Sequence, residues 1–506
     1  MSISERAGLC ARCRHARSIA SRRGSEFLLC ERSRTDPRFA RYPPLPVREC
    51  PGFESAEAEA PAPEVNATSR QVVAAWWPLA ASWLLMGCEL PAVSAVLARL
   101  PSPEISLAAY GGIVFPVSML IESPIIMLLA ASTALSVDRE AHRRLSRVVA
   151  LAGATLTALH LLVAATPLFG LVVARLLGAP AEIQHPARIG LLLMTPWTWS
   201  IAYRRFQQGV LIRTGRSRTV GIGTAVRLGS NVAMLAIGYA WGRFPGIVVG
   251  TTAVAVGVMS EALFVGFQAR RALRELPAND PAATPLTRGR FVRFYTPLAA
   301  TSVLTMGMLP LATAAMSRMP LTMASLAAWP VLNGLTFTLR SLGFAYHEVV
   351  VAMLGRSKAY AALRRFAFVL AGTVTGILAV VAATPLSHVW FAGVSGLSAP
   401  LASLAARALW IAIPLPAASV AQSWFSGILV NRHDTRGVSE AVALQLVVCA
   451  IVLGAGVAWS GVAGIHVAVT ATLASTLAQQ WWLARRSAAH RDRLMAGLPA
   501  APRASA

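Results

Sequence analysis

The 506-residue chain has 55% hydrophobic and only 13% charged residues, and its mean hydropathy is +0.57. A soluble globular protein carries about a quarter charged residues, so this composition excludes a soluble enzyme or binding protein and indicates a membrane protein. The net charge of +24 would suit nucleic-acid binding only if the basic residues formed one surface. They fall instead in clusters between apolar segments, so we expect no nucleic-acid partner.

The first 56 residues form a separate polar module that holds four of the six cysteines, in the order Cys10-x2-Cys13-x16-Cys30-x19-Cys50. A Cys-x2-Cys pair with two more thiolates can close a tetrahedral zinc site, and a short polar segment needs such a staple to fold. The proline after Cys50 would also suit an iron–sulfur cluster, and free thiols are a third alternative. We predict a zinc-binding module, followed by a flexible linker at 57–70 that is rich in Pro, Ala and Glu.

Twelve apolar segments follow, each close to the length of about 20 residues that one helical membrane crossing needs. Their long unbroken apolar runs favour helices over the short alternating strands of a membrane barrel. The fold class is therefore an all-α polytopic membrane protein with the cysteine module attached. The segments lie at about 72–98, 105–135, 148–176, 187–206, 218–241, 246–269, 291–317, 322–354, 366–391, 402–425, 438–459 and 462–484.

The chain contains an internal duplication. Residues 78–110 and 297–329 align without a gap at an offset of 219, and 14 of the 33 positions are identical. The run VAATPL at 163–168 recurs at 381–386, at an offset of 218. We therefore predict two bundles of six helices. The predicted boundaries are a first bundle at 71–270, a cytoplasmic loop at 271–290, a second bundle at 291–486 and a disordered tail at 487–506.

The arginines indicate the orientation of the chain. They cluster after every even-numbered segment, whereas the odd-numbered connections hold mostly isolated arginines such as Arg99 and Arg318. By the positive-inside rule, both termini are cytoplasmic in a bacterial-type inner membrane. An even number of segments in each copy makes the copies parallel repeats, related by a pseudo-two-fold axis along the membrane normal.

Prolines interrupt the first segment of each copy at equivalent positions, Pro91 and Pro310. Because proline cannot bond the carbonyl four residues back, Gly87 is left with a free acceptor about one turn from Glu89. Broken helices in paired repeats mark transporter binding sites, although a kink can also serve packing alone. We predict helix breaks at both prolines and a substrate- or ion-binding role for Glu89.

Other charges lie inside the apolar segments, where each would cost at least about 2.5 kcal/mol if it faced lipid. Glu122 and Arg340 fall at nearly equivalent places in the two copies and have opposite signs. We hypothesise that they pair across the midline and separate in one state of a transport cycle. Glu348 is a further candidate binding residue, and beside His347 it would suit a proton relay, although isolated histidines usually serve the core.

Arg227, Glu261 and Glu440 lie nearer the ends of their segments. Long side chains near helix ends can extend to the membrane interface, so these three need no partner in the interior. We nevertheless include Arg227 among the candidate substrate-binding residues.

These features resemble the multidrug/oligosaccharidyl-lipid/polysaccharide (MOP) flippase superfamily, in particular the multidrug and toxic compound extrusion (MATE) transporters. The residues Trp77-Pro78-Leu79, Glu89 and Ala108-Ala109-Tyr110-Gly111 resemble the progressive ankylosis protein family. The resemblance implies a V-shaped carrier whose central cavity opens alternately to each side. Extrusion transporters often couple to a cation through an aspartate in the first segment, which Glu89 would replace. The ankylosis family exports organic and phosphate-bearing anions, which Arg227 and Arg340 would suit.

The chain has a single lysine, Lys358, in a Gly-Arg-Ser-Lys sequence that is not a phosphate-binding loop. We therefore predict a monomeric secondary transporter, not an enzyme, that exports an organic or amphipathic solute of anionic or phosphate-bearing type and needs no cofactor for transport. Alternatives are a multidrug antiporter coupled to H⁺ or Na⁺, a flippase for lipid-linked precursors, and a membrane scaffold or receptor that acts through its cysteine module.

Overall fold

The structure is a computed structural model that describes residues 7–20, 26–34, 36–54, 68–278, 286–356, 359–432 and 434–495. The chain divides into two compact units, Met1–Ala67 and Thr68–Ala506. Most of the predicted linker, the centre of the predicted inter-bundle loop and the end of the predicted tail lie outside the described residues.

The first unit is built on an antiparallel hairpin of β1 (Ala16–Ala20) and β2 (Glu26–Cys30), in which Ala16 pairs with Cys30. Single turns of 3₁₀-helix precede and follow the hairpin, at Leu9–Arg12 and Glu31–Arg34.

Twelve long helical segments make up the described part of the second unit. In chain order they are α1 (Ser69–Leu97), α2 (Pro103–Leu135), α3 (Arg139–Ala165), α4 (Ala181–Arg213), α5 (Ser217–Trp241), α6 (Gly246–Glu275), α7 (Arg288–Met316), α8 (Thr322–Met353), α9 (Ala359–Ala383), α10 (Ala399–Asn431), α11 (Thr435–Trp459) and α12 (Gly464–Met495). We call α1–α6 the first half and α7–α12 the second half.

The helix bounds confirm the duplication. Both ends of α7 follow those of α1 at the offset of 219 that the repeated sequence shows. Both ends of α10 and α11 follow those of α4 and α5 at the later offset of 218. Each half also has a short π-helical segment after its third helix, Gly170–Leu176 in the first and Val389–Val394 in the second.

Nine of the described helices are long and apolar enough to cross a membrane. The other three are α4, α8 and α12, and each of them has a counterpart in the other half that does qualify, namely α10, α2 and α6. Since repeat-equivalent helices occupy equivalent places in a duplicated fold, all twelve belong to the same membrane bundle. The described part of the second unit is therefore helical throughout, and the chain is a multi-pass membrane protein.

The connections lie on two opposite faces of the bundle. Those after even-numbered helices meet on one, where Arg139 N donates to Pro277 O at 3.0 Å, and we call it the basic face. Those after odd-numbered helices meet on the other, where Gly464 N donates to Pro320 O at 3.3 Å, and we call it the odd-loop face.

The two halves pack against each other through α1 with α8 and α2 with α7. Trp76 Nε1 donates to Leu342 O at 3.0 Å, and the Tyr295 hydroxyl donates to Pro124 O. Close approach of α2 and α8 depends on Gly111, where an added Cβ would lie 2.3 Å from the Pro330 ring. These contacts form a pseudo-symmetric seam.

The end of the second half differs from the prediction of a disordered tail from residue 487. Helix α12 continues to Met495, and the side chains of Ser487 and His490 are buried. The polar composition of this segment conceals a helix whose inner face packs against the bundle.

Candidate functional site

The break in α1 occurs where the sequence predicts it. The helix divides at Cys88 into Ser69–Gly87 and Glu89–Leu97. The break is local, because Cys88 keeps a helical backbone conformation and its N–H still donates to Leu84 O at 2.9 Å. Gly87 O accepts a hydrogen bond from Thr338 Oγ1 of α8 at 3.0 Å. The acceptor that Pro91 frees is therefore satisfied by the other half, which ties the break to the seam.

Helix α7 does not repeat this break. It is one helix from Arg288 to Met316 with Pro310 inside it, so the predicted second break is corrected. One missing backbone hydrogen bond can bend a helix without ending it, because the neighbouring bonds of the helix persist.

Glu89, at the break, has two partners on α5. Arg227 Nη2 lies 3.0 Å from its Oε2, and Asn231 Nδ2 donates to its Oε1 at 3.0 Å. The Glu89 side chain is 17% exposed and that of Arg227 is 9% exposed. Both groups therefore lie in the interior of the first half, paired with each other.

A second carboxylate extends this pair into a network. Glu261 of α6 is fully buried and forms an ion pair with Arg204 of α4. Gln208 Nε2 donates to Glu261 Oε1 at 2.9 Å, and Arg227 Nε lies 3.7 Å from Glu261 Oε2. Arg227 thus bridges Glu89 and Glu261, and the network joins α1, α4, α5 and α6.

Glu122 of α2 lies beside this network and is buried. Arg204, Arg205 and Arg227 lie near enough for their charges to act on it, and no ion pair joins it to Arg340 among the described residues. Its Oε2 atom has no hydrogen-bond partner among the described residues. The hypothesised Glu122–Arg340 pair is therefore not formed in this conformation, and Glu122 adds a third carboxylate to a site with three guanidinium groups.

Sequence reasoning missed several members of this network. The sequence pattern ends α4 near residue 206 and so places Arg204 beside a basic loop, whereas the helix continues to Arg213. The sequence does contain one indication of this network: Arg204 and Gln208 are four residues apart and therefore lie on the same face of the helix. Arg227 and Glu261 are buried and do not extend to the interface.

Glu440 lies near a helix end, as the sequence suggests. It pairs with Arg436 and Arg486 at the end of α11 that lies on the basic face.

The second half contains a different polar feature around Arg340. With Asn333 and Thr336 of α8 and Thr472 of α12, Arg340 lines a narrow cleft of about 10 Å³, whose remaining walls are apolar. Its guanidinium lies over the ring of Phe344, 5.5 Å from the centroid, and its Nε has no hydrogen-bond partner among the described residues. This cleft presents a cation next to neutral polar groups.

Glu348 and His347 point to different surroundings. The Nδ1 atom of His347 lies 3.0 Å from Ser426 Oγ of α10, whereas Glu348 is exposed. The proposed relay between the two neighbours therefore has no direct contact in this structure.

The four module cysteines are brought near each other by backbone pairing. Arg14 N donates to Glu54 O at 2.9 Å and Leu9 N donates to Val47 O at 2.8 Å, which places the segment of Cys50 beside that of Cys10 and Cys13. The hairpin brings Cys30 next to Ala16.

All four cysteines are free thiols. Burial raises the pKa of the Cys10 thiol, and the nearby Cys13, Cys50 and Cys30 raise it further. As the side chains stand in the described residues, no group of three or more His, Cys, Asp or Glu is arranged to hold a metal ion.

Comparison with known proteins identifies the fold. No family model and no curated protein match the chain. A solved inward-facing multidrug resistance MATE family transporter of the MOP superfamily matches with a TM-score of 0.61 at 16% identity, over 82% of this chain and 98% of that chain. An outward-facing structure described in the same terms matches with a TM-score of 0.54 at 16% identity, over 84% and 97%.

A MOP superfamily transporter from Pyrococcus furiosus, described as having a binding pocket of reverse polarity that suggests a different function, matches with a TM-score of 0.56. The identity is 16%, over 84% of this chain and 97% of that chain. The twelve helices, the duplication and these matches agree, and the membrane unit of this chain has the fold of the MATE transporters of the MOP superfamily.

Proposed function

We propose that this protein is a secondary transporter that moves an anionic or amphipathic organic solute by alternating access. The transport unit is a monomer, because one chain supplies both bundles. It lies in a bacterial-type inner membrane with both termini in the cytoplasm, as the arginine distribution indicates. The fold supports this proposal, and the TM-score is higher for the inward-facing than for the outward-facing MATE structure.

The observation that carries the proposal is the contact of Glu89 with Arg227 at the break in α1. A guanidinium binds carboxylate and phosphate groups equally well by geometry. An anionic solute that reaches Arg227 therefore competes with Glu89, and neutralisation of Glu89 by a proton would free Arg227 for the solute. Either event changes the charge balance of a buried network, which is how a bound ligand can favour one conformation over another.

The cleft at Arg340 has room for about one water in this conformation and would have to widen in another state of the cycle to supply the second contact for the solute. A cation held against an aromatic ring, with hydroxyl and amide groups beside it, suits an anionic head attached to an apolar body. Since Arg227 and Arg340 lie in different halves, a solute bound to both would bridge the two bundles during transport.

Counterflow in proteoliposomes tests this function. Organic anions, pyrophosphate and cationic dyes are compared, with and without an imposed H⁺ or Na⁺ gradient. We expect anions to exchange, and Arg340→Gln to weaken their apparent affinity about tenfold, the effect of losing one charged hydrogen bond. The matched control is Arg364→Gln on α9, whose guanidinium also lies over an aromatic ring, that of Tyr360, but is exposed. Equal loss in both variants, or no anion exchange, would contradict the proposal.

The second candidate is a multidrug antiporter coupled to H⁺ or Na⁺. It is favoured by the position of Glu89, a partly accessible carboxylate next to a helix break, where a cation can replace Arg227 as its partner. Accumulation of cationic dyes that requires a gradient and is lost in Glu89→Gln would support this candidate over the anion carrier.

We also propose that the cysteine module holds zinc. The support is the backbone pairing that gathers four free thiols, and metal binding would then require the sulfurs to close around the ion. An iron–sulfur cluster is the alternative, which metal analysis and visible absorption would separate.

A further inference from the structure

Arg99 connects the two halves on the odd-loop face. It follows the last turn of α1, and its Nη1 donates to Ala95 O of that helix at 2.7 Å. Its Nη2 crosses to the second half and donates to Gly393 O at 2.5 Å. One guanidinium thus binds a carbonyl in each half.

Arg318 makes the equivalent connection in the opposite direction. Its Nη1 donates to Ala314 O of α7 at 2.6 Å. Its Nη2 donates to Arg175 O at 3.0 Å and Leu176 O at 2.9 Å, in the first half. Arg99 and Arg318 are equivalent positions of the duplication, and so are their acceptors Arg175 and Gly393, so the two connections are copies of each other.

The acceptors lie at the C-terminal ends of the two π-helical segments, where unpaired carbonyls concentrate negative charge. The chain then turns through Gly178 and Gly396, whose φ values are +67° and +73°. A Cβ at these glycines would lie 3.2 Å from Arg318 Nη1 and 3.1 Å from Arg99 Nη1, respectively. Glycine is thus required both by the backbone conformation and by the approach of the guanidinium.

We propose that Arg99 and Arg318 form a pair of clamps that close the odd-loop face and must release before this face can open. Each clamp links a helix end of one half to a π-helical end of the other by hydrogen bonds to carbonyl oxygens. Such bonds can be exchanged for bonds to water when the halves separate, so the clamps hold one conformation without preventing the other. This inference adds a conformational device to the proposed alternating access and concerns no solute.

The test is hydrogen–deuterium exchange of the full chain in lipid nanodiscs, compared between the wild type and the Arg99→Gln/Arg318→Gln double variant. We expect the clamp-free protein to exchange faster at the odd-loop face, in residues 170–178 and 389–396. We also expect slower exchange at the basic-face ends of α2 and α8, because opening one face closes the other. The double variant removes one cross-half hydrogen bond of Arg99 and two of Arg318. We expect the equilibrium to change by at least the roughly tenfold factor that the loss of one charged hydrogen bond corresponds to.

The matched control is Arg175→Gln, which removes an exposed arginine from the same loop while leaving its acceptor carbonyl in place. Faster exchange confined to the odd-loop face, without protection of the basic face, would show that the arginines only brace the local loops and would overturn the proposal. An unchanged exchange pattern would overturn it as well. Because the measurement needs no solute, it remains valid if the transported substrate is not an anion.

Discussion

Neutralising Glu261 is the sharpest test of the buried network. The carboxylate is fully buried and has Arg204 and Gln208 as hydrogen-bond partners, with Arg227 Nε at 3.7 Å. In Glu261→Gln, Arg227 keeps Glu89, but Arg204, whose side chain is 5% exposed, loses its ion-pair partner. Removing one member of a buried pair costs about 3–5 kcal/mol. We expect the low end of this range, because the glutamine oxygen still accepts one hydrogen bond.

The free energy of unfolding is measured by denaturant titration of the purified protein in mixed micelles. The matched control is Glu440→Gln, which removes a carboxylate that also has two arginine partners but whose side chain is 27% exposed. For such an accessible pair we expect a much smaller loss, because water and salt screen the two charges. Equal stability of the two variants would refute the assignment of Glu261 as the centre of a buried network.

A double variant separates the charge from the packing. At the offset of 218, the second half has Gln422 and Gln479 at the positions equivalent to Arg204 and Glu261. Arg204→Gln/Glu261→Gln therefore gives these two positions the same neutral residues as in the second half. We expect it to be more stable than Glu261→Gln alone, because no unpaired guanidinium remains. A double variant that loses the sum of the two single effects would contradict this account.

Three further predictions concern other parts of the chain. Glu89→Gln should abolish gradient-coupled exchange in proteoliposomes while the protein still purifies as a folded monomer; unchanged transport would remove Glu89 from the mechanism. Thr338→Val should lower the free energy of unfolding by about 1–3 kcal/mol, because Gly87 O loses its hydrogen-bond partner in the other half. The control Thr336→Val loses hydrogen bonds only to its own helix and should cost less than about 1 kcal/mol. Equal losses in the two variants would show that the cross-half hydrogen bond adds nothing. Cys10→Ser should remove bound zinc as measured by elemental analysis, and Cys88→Ser in α1 should retain it; equal zinc contents, or iron in place of zinc, would contradict the zinc module.

The helix bounds could be predicted well because duplication supplies two versions of each helix. Where α4 is too polar to qualify as a membrane span, its counterpart α10 qualifies, and their ends agree at a constant offset. The proline rule, by which proline removes a defined hydrogen bond, predicts breaks in both α1 and α7, and only α1 divides. The hydrogen bond from Thr338 to Gly87 O could not be predicted. It depends on which face of α8 packs against α1, and the sequence alone does not specify that rotation.

The network illustrates what a single sequence conceals. Its members come from four helices, and the position of a residue along a helix does not fix the rotation of that helix in the bundle. Arg204 and Arg205 are adjacent in sequence, yet they face different partners. Arg204 pairs with Glu261, whereas the charge of Arg205 acts on Glu122. Periodicity predicts that Arg204 and Gln208 share a face. It cannot predict that this face is turned towards α6.

The two halves share the order of their helices but differ in the charge of their interiors. The positions of Arg204, Arg227 and Glu261 are occupied in the second half by Gln422, Gln445 and Gln479.

Glutamine keeps hydrogen-bonding capacity and removes the charge, so ion or proton binding can alter the charge balance at these positions of the first half only. The second half instead keeps Arg340 beside a polar cleft. Under the proposed function, the first half would supply the coupling carboxylates and Arg227 as one solute contact, and the second half would supply Arg340 as the other. The proposed clamps of Arg99 and Arg318 occupy equivalent positions in both copies. They would therefore act symmetrically on the two halves, although the charges in the interiors of the halves differ.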